Sequence, residues 1–184
     1  MILLDPELEP DSALAAAHAK QAAASGSLKN LRIPSTRTLG RYVGEAQAAV
    51  GLLDQVTVLL TTDATIRDLN RRFRGKNEAT DVLSFPSTNP AAGPEKIAGD
   101  VAISVETART QAAEQGHALA VELRILILHG LLHLAGYDHE ADAGKMERHE
   151  RQLRTKLGLP QGLIERAKPE RTGPKPTKTR RRKP

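Results

Sequence analysis

The chain contains no cysteine. Disulfides, thiolate metal ligands and cysteine nucleophiles are excluded together, so any metal site must be built from histidines and carboxylates. Aromatic residues are nearly as scarce, with two Phe, two Tyr and no Trp in 184 residues. The core must therefore be assembled from Leu, Ile, Val and Ala, and the composition does not predict an aromatic platform for stacking bases. Long apolar runs are missing too. The longest, residues 125–134, is broken by His129, Gly130 and His133 and falls short of the ~20 residues that a membrane crossing takes. The first ten residues are acidic, not a basic segment followed by an apolar one, which is not a secretory pattern; the chain reads as cytoplasmic, with no membrane partner.

Positive charge is present but uneven. The net charge is +5, yet residues 168–184 hold eight Lys or Arg against the single acid Glu170, a surplus of seven, so the preceding residues carry −2. Basic surface on the folded part is then local, not general. The tail, made of Pro, Lys, Arg and Thr without apolar periodicity, reads as disordered: either an electrostatic contact to RNA or a solvated end with no specific role. Length fits one domain with appendages. We divide it into an N-terminal extension with an Ala-rich helix over 1–34, a domain over 35–160 and the basic tail over 161–184.

Periodicity supplies the elements. Residues 11–25 read as a helix stopped by Gly26, and residues 35–50 as a second helix with Leu39, Tyr42, Val43, Ala46 and Val50 on one face. Val56 to Leu60 is a β-branched strand run; Asp63 is placed to cap a helix over 64–73. Residues 81–85 and 99–104 read as strands joined by a Pro- and Gly-containing loop, hence as an antiparallel pair. Helices follow over 106–115, over 117–135, apolar on nearly every side and so buried, and over 142–157.

The middle one of these three runs into His129-Gly130-Leu131-Leu132-His133-Leu134-Ala135-Gly136-Tyr137-Asp138-His139. Residues four apart share a helix face, so His129 and His133 reach one ion, and Gly136 lets the chain leave the helix so that His139 returns towards it. Three neutral imidazoles leave a fourth position open, which is the arrangement of catalytic zinc; a structural site would call for a fourth protein ligand. The same spacing occurs in metzincin proteases, which need a glutamate where this chain has Gly130 as general base for zinc-bound water, and Met146 lies too near to serve as their Met-turn.

The same residues resemble the YbeY family of endoribonucleases. The resemblance extends to Asn70-Arg71-Arg72-Phe73-Arg74-Gly75-Lys76, to Thr80-Asp81-Val82-Leu83-Ser84-Phe85-Pro86 and to Gly99-Asp100-Val101-Ala102-Ile103-Ser104, and covers about residues 56–158. The chain departs from the family pattern at Asn77, usually Asp, and Ala79, usually Pro. The resemblance implies an α+β fold, a small mixed sheet packed against helices with a buried central helix carrying the metal ligands. It also implies one zinc per chain on His129, His133 and His139, and cleavage of single-stranded RNA in small-subunit (16S) rRNA 3′-end maturation and ribosome quality control. The implied partners are the small ribosomal subunit and its assembly factors. Arg74 matches an arginine essential in the family; its guanidinium fork suits a phosphate, and it is expected to act in catalysis by positioning the scissile phosphate beside the metal.

Alternatives stay open at this stage. Val82, Leu83 and Phe85 are either site elements or plain core strand, and Asp81, Ser84 and Asp138 either orient other site groups or serve turns. The nucleophile is either water or a ribose 2′-OH. Two other functions fit parts of the pattern: a non-catalytic RNA-binding ribosome-assembly factor, and a zinc peptidase drawing its carboxylate from Glu106 or Asp138.

Overall fold

The computed structural model describes residues 1–8, 33–87, 96–138 and 142–161. The helix expected at 11–25, most of the loop after Pro86, His139 and the tail lie outside them. Four strands form one sheet: β1 (Ile2–Leu4), β2 (Gln55–Thr61), β3 (Val82–Pro86) and β4 (Ile97–Ser104). Their order is β1-β2-β4-β3. The first three are parallel, and β3 runs antiparallel to β4 with Ser84 opposite Val101 and Phe85 opposite Asp100. Around them pack α1 (Thr36–Val50), α2 (Asp63–Arg74), α3 (Val105–Glu114), α4 (Leu119–Leu134) and α5 (Lys145–Lys156). The fold is α+β with a mixed sheet, as expected.

Strand alternation divides this sheet into two faces. Val101 and Ile103 join the main core with α1 and α4, whereas Leu83 and Ala102 meet Ile66 of α2 in a smaller cluster, with Leu69 and Phe85 packed against it. Helices α2 and α4 thus cover opposite faces of β3 and β4. In α4, Leu119, Leu123, Ile125, Leu126, Ile127, Leu128, Leu131 and Leu132 are all buried. At ~1.5–3 kcal/mol for each such side chain, this burial holds α4 far more firmly than its helix propensity. No single helix among the described residues is long and apolar enough to cross a membrane.

Several expectations need correction. Residues 1–8 belong to the domain and not to the extension: β1 pairs with β2, the Met1 ammonium donates to the Val56 carbonyl at 2.5 Å, and Leu8 is buried in the core. Three residues are too few to show alternation in a sequence. The cap of α2 is Thr62, whose hydroxyl accepts from the Thr65 N–H; Asp63 is already helical, and its carboxylate accepts from the Ser104 and Thr107 hydroxyls. His117 precedes α4 and lies with Nε2 3.0 Å from the buried Glu122 carboxylate. Helix α5 starts at Lys145 because the Asp142 carboxylate accepts from the Lys145 and Met146 N–H groups, ending the turn before it.

Candidate metal centre

Between Ile125 and Leu132 every residue of α4 is buried except His129, and one turn later His133 is also partly exposed. An apolar helix thus presents two imidazoles one turn apart, both partly open. Their Nε2 atoms are 3.2 Å apart, with the rings edge to face at 4.8 Å between centroids. The other ring nitrogen of His129, Nδ1, lies 3.0 Å from Oε2 of Glu150. A carboxylate only accepts, so Nδ1 carries the proton and Nε2 of His129 presents a lone pair.

Glu150 comes from α5 and is 1% exposed. Its second oxygen, Oε1, accepts from Nε of Arg154 at 2.8 Å and from Nη2 of the same guanidinium, whose Nη1 donates to the Pro160 carbonyl. Burial pushes the Glu150 carboxyl up, but the hydrogen bond from His129 together with the Arg154 guanidinium outweighs it and holds the group below the usual range. Sequence reasoning read only a helix over 142–157 there and gave neither Glu150 nor Arg154 a role. Their spacing carried a signal: Glu150 and Arg154 fall on the same helix face as the buried Met146 and Leu153.

The pair fits a bound cation. Two nitrogens each ~2.0–2.1 Å from one tetrahedral zinc lie about 3.3 Å apart, close to the 3.2 Å found between the two Nε2 atoms. A buried carboxylate on the far nitrogen of a histidine is the usual support of a ligand imidazole. His139 lies outside the described residues, and among these no group of three His, Asp or Glu side chains is gathered for an ion. Leading towards it, Gly136 adopts φ 88°, the Tyr137 N–H donates back to the Leu132 carbonyl, and the Tyr137 ring stacks on His149 of α5. The chain therefore turns at the helix end onto the same helix that supplies Glu150.

The remaining candidates scatter. Ser84 donates to the Gly130 carbonyl at 3.1 Å, tying β3 to α4 one residue from His129. Asp81 instead accepts from the Thr80 hydroxyl, the Val82 N–H and Gln111, which pins the start of β3 to α3. Val82 and Leu83 are core strand. Glu106 accepts from the Asp63 N–H at 2.6 Å, and the Asp138 carbonyl accepts from the Asp142 N–H. Arg74 is exposed at the end of α2, on the face of the sheet opposite α4. The two helix ends nonetheless meet the same stretch of sheet: Phe73 touches Phe85, and Leu134 lies against Gly99, which pairs with Pro86.

Residues 20–158 match the model of a family described as endoribonuclease YbeY. An endoribonuclease YbeY of Koribacter versatilis is 52% identical over 138 residues, spanning 75% of this chain and 88% of that protein. Another, of Solibacter usitatus, is 56% identical over 136 residues, spanning 74% and 86%. The solution structure of TM1509 from Thermotoga maritima is similar with a TM-score of 0.44 and 25% identity, over 68% of this chain and 88% of that one.

Proposed function

We propose, from the premise that this chain belongs to the YbeY endoribonuclease family, that it cleaves single-stranded RNA at one zinc ion held by His129, His133 and His139. RNA-cleaving hydrolase activity goes with that membership. The observation that carries the metal is the His129 and His133 pair, its Nε2 atoms 3.2 Å apart and one ring anchored by a buried carboxylate. Imidazole ligands suit zinc, and three of them leave the open fourth position of a catalytic zinc site.

When bound, such an ion supplies a Lewis acid that polarises a phosphodiester oxygen and acidifies water. The chain does the rest by positioning. Glu150 fixes the tautomer and orientation of His129, Arg154 neutralises Glu150, and Ser84 holds the α4 backbone beside His129. Arg74 binds the phosphate of the same RNA strand as it passes around β3, the edge strand of the sheet. Family membership alone supports the finer assignments: maturation of the 16S rRNA 3′ end, ribosome quality control, work on the small ribosomal subunit with its assembly factors, and the cytoplasm as the place of action.

Metal analysis joined to RNA cleavage tests this reading. Wild type should carry one zinc per chain and cut a single-stranded oligoribonucleotide; His133→Ala should lose both. Glu150→Gln should bind zinc roughly 10- to 100-fold more weakly, the usual effect of removing a ligand's support, with activity recovering at high zinc. RNA binding without any cleavage by zinc-loaded wild type would sink the nuclease and leave an assembly factor; turnover of peptides instead would point to a peptidase.

A further inference from the structure

The scarcity of aromatics makes their placement informative. Both phenylalanines of the chain sit together: Phe73 at the end of α2 and Phe85 near the end of β3 have ring centroids 5.1 Å apart, with planes at 66°. Phe85 packs against the smaller core cluster and serves as a fixed base. Phe73 is 65% exposed. An edge-to-face contact covers at most one face of a ring, so Phe85 leaves another face of Phe73 to solvent. Burial does not explain a large aromatic here, since a residue this exposed gains little by it.

Its surroundings are basic. Residues 67–78 contain five Lys or Arg against Asp68 and Glu78, a surplus of three on a body that is −2 without its tail. Arg71 is paired with Asp68 at 2.9 Å, and Arg72, Arg74 and Lys76 are exposed. The end of a helix dipole is negative and by itself repels phosphate, with about half a unit charge. Three exposed cations within one turn of it reverse that sign. An exposed ring amid backbone-neutralising cations is the combination that single-stranded nucleic acid calls for, with a base on the ring and phosphates on the cations. A duplex, whose bases are already stacked, offers the ring nothing.

We propose that Phe73 is a base-stacking subsite for single-stranded RNA, with Arg72, Arg74 and Lys76 holding the flanking phosphates. This rests on the endoribonuclease reading and extends it, since it explains a preference for unpaired RNA by a residue distant from the metal ligands. The subsite lies on the α2 face of the sheet and the histidines on the other, both at the Phe85 end of β3. The bound strand passes around one edge strand between them, so the stacked base is not the one at the scissile bond.

Steady-state cleavage of a 12-nucleotide unpaired RNA by the zinc-loaded full chain tests the subsite. Phe73→Ala should raise KM about ten-fold, within the range for loss of one base–aromatic stack, with kcat and thermal midpoint as in wild type. Phe73→Tyr should restore KM to about two-fold of wild type, because the ring and not its substituent is used. In the salt dependence of KM, Arg72→Ala should lower the slope by about one unit while Phe73→Ala leaves it alone, as expected of a phosphate contact and a stack. An unchanged KM in Phe73→Ala overturns the proposal, as does a fall in thermal midpoint and kcat together, which would make Phe73 a mere prop for β3. If wild type leaves the RNA intact, the nuclease reading fails, and the subsite is judged by the same comparisons on the Kd of that oligonucleotide.

Discussion

An ideal Cβ placed on Gly130 would sit 2.7 Å from Cγ1 of Val101, 3.1 Å from its Cγ2 and 3.3 Å from the Ser84 hydroxyl. Val101 is buried and β-branched, so its χ1 is restricted and the packing around it leaves little room to turn. The glycine that first reads as a missing protease base is therefore where helix and sheet touch, and a glutamate would separate α4 from β3 and β4. Gly130→Ala sets two effects against each other. Helix propensity favours alanine by about 1 kcal/mol, while overpacking costs about 1–3 kcal/mol. We expect a net loss of about 1 kcal/mol in urea denaturation. In a Val101→Ala background the two closest contacts are gone and only that with the Ser84 hydroxyl remains, so Gly130→Ala should become neutral or stabilising; a stabilised single mutant would show that the contact yields easily.

At the scale of elements, legibility followed length and periodicity. Helix α4, strand β2 and the β3–β4 pair were readable because runs of Leu, Ile and Val at one period admit few placements. Helix boundaries slipped by one to three residues where two polar residues compete to cap, as Thr62 and Asp63 do. What stayed hidden depends on contacts between distant segments. The partner of His129 lies 21 residues away on a helix whose charge suggests a surface. Strand β1 exists only because β2 offers it an edge, and Asp5 then accepts from Thr61 and Thr65. That segment's contribution is measurable at Leu8, which is buried: Leu8→Ala should cost about 2–4 kcal/mol as a core truncation. Leu53, 93% exposed, is the control, and Leu53→Ala should stay within about 0.5 kcal/mol of wild type. Equal effects at the two sites would mean that residues 1–8 do not fold with the domain.

Taken as a whole, the molecule has an aliphatic core into which α5 carries a charged pair behind the C-terminal half of α4. There Glu150 and Arg154 are buried as a charged pair behind His129, and such pairs contribute little to stability on balance, because desolvation offsets their attraction. Their presence is better explained by what they orient than by what they stabilise. On the proposed zinc site only the folded chain would bring His129, His133 and His139 together, so the ion should stabilise by mass action. At free zinc one hundred times the Kd the gain is about 2.7 kcal/mol. For a domain of ~150 residues, at ~2–4 °C per kcal/mol, the thermal midpoint should rise by about 5–10 °C on loading and fall back with a chelator. Glu150→Gln should require more zinc for the same rise, whereas His133→Ala should show none. A midpoint indifferent to zinc and chelator in wild type would mean that the two imidazoles, despite their 3.2 Å approach, are a hydrogen-bonded pair and not a metal site.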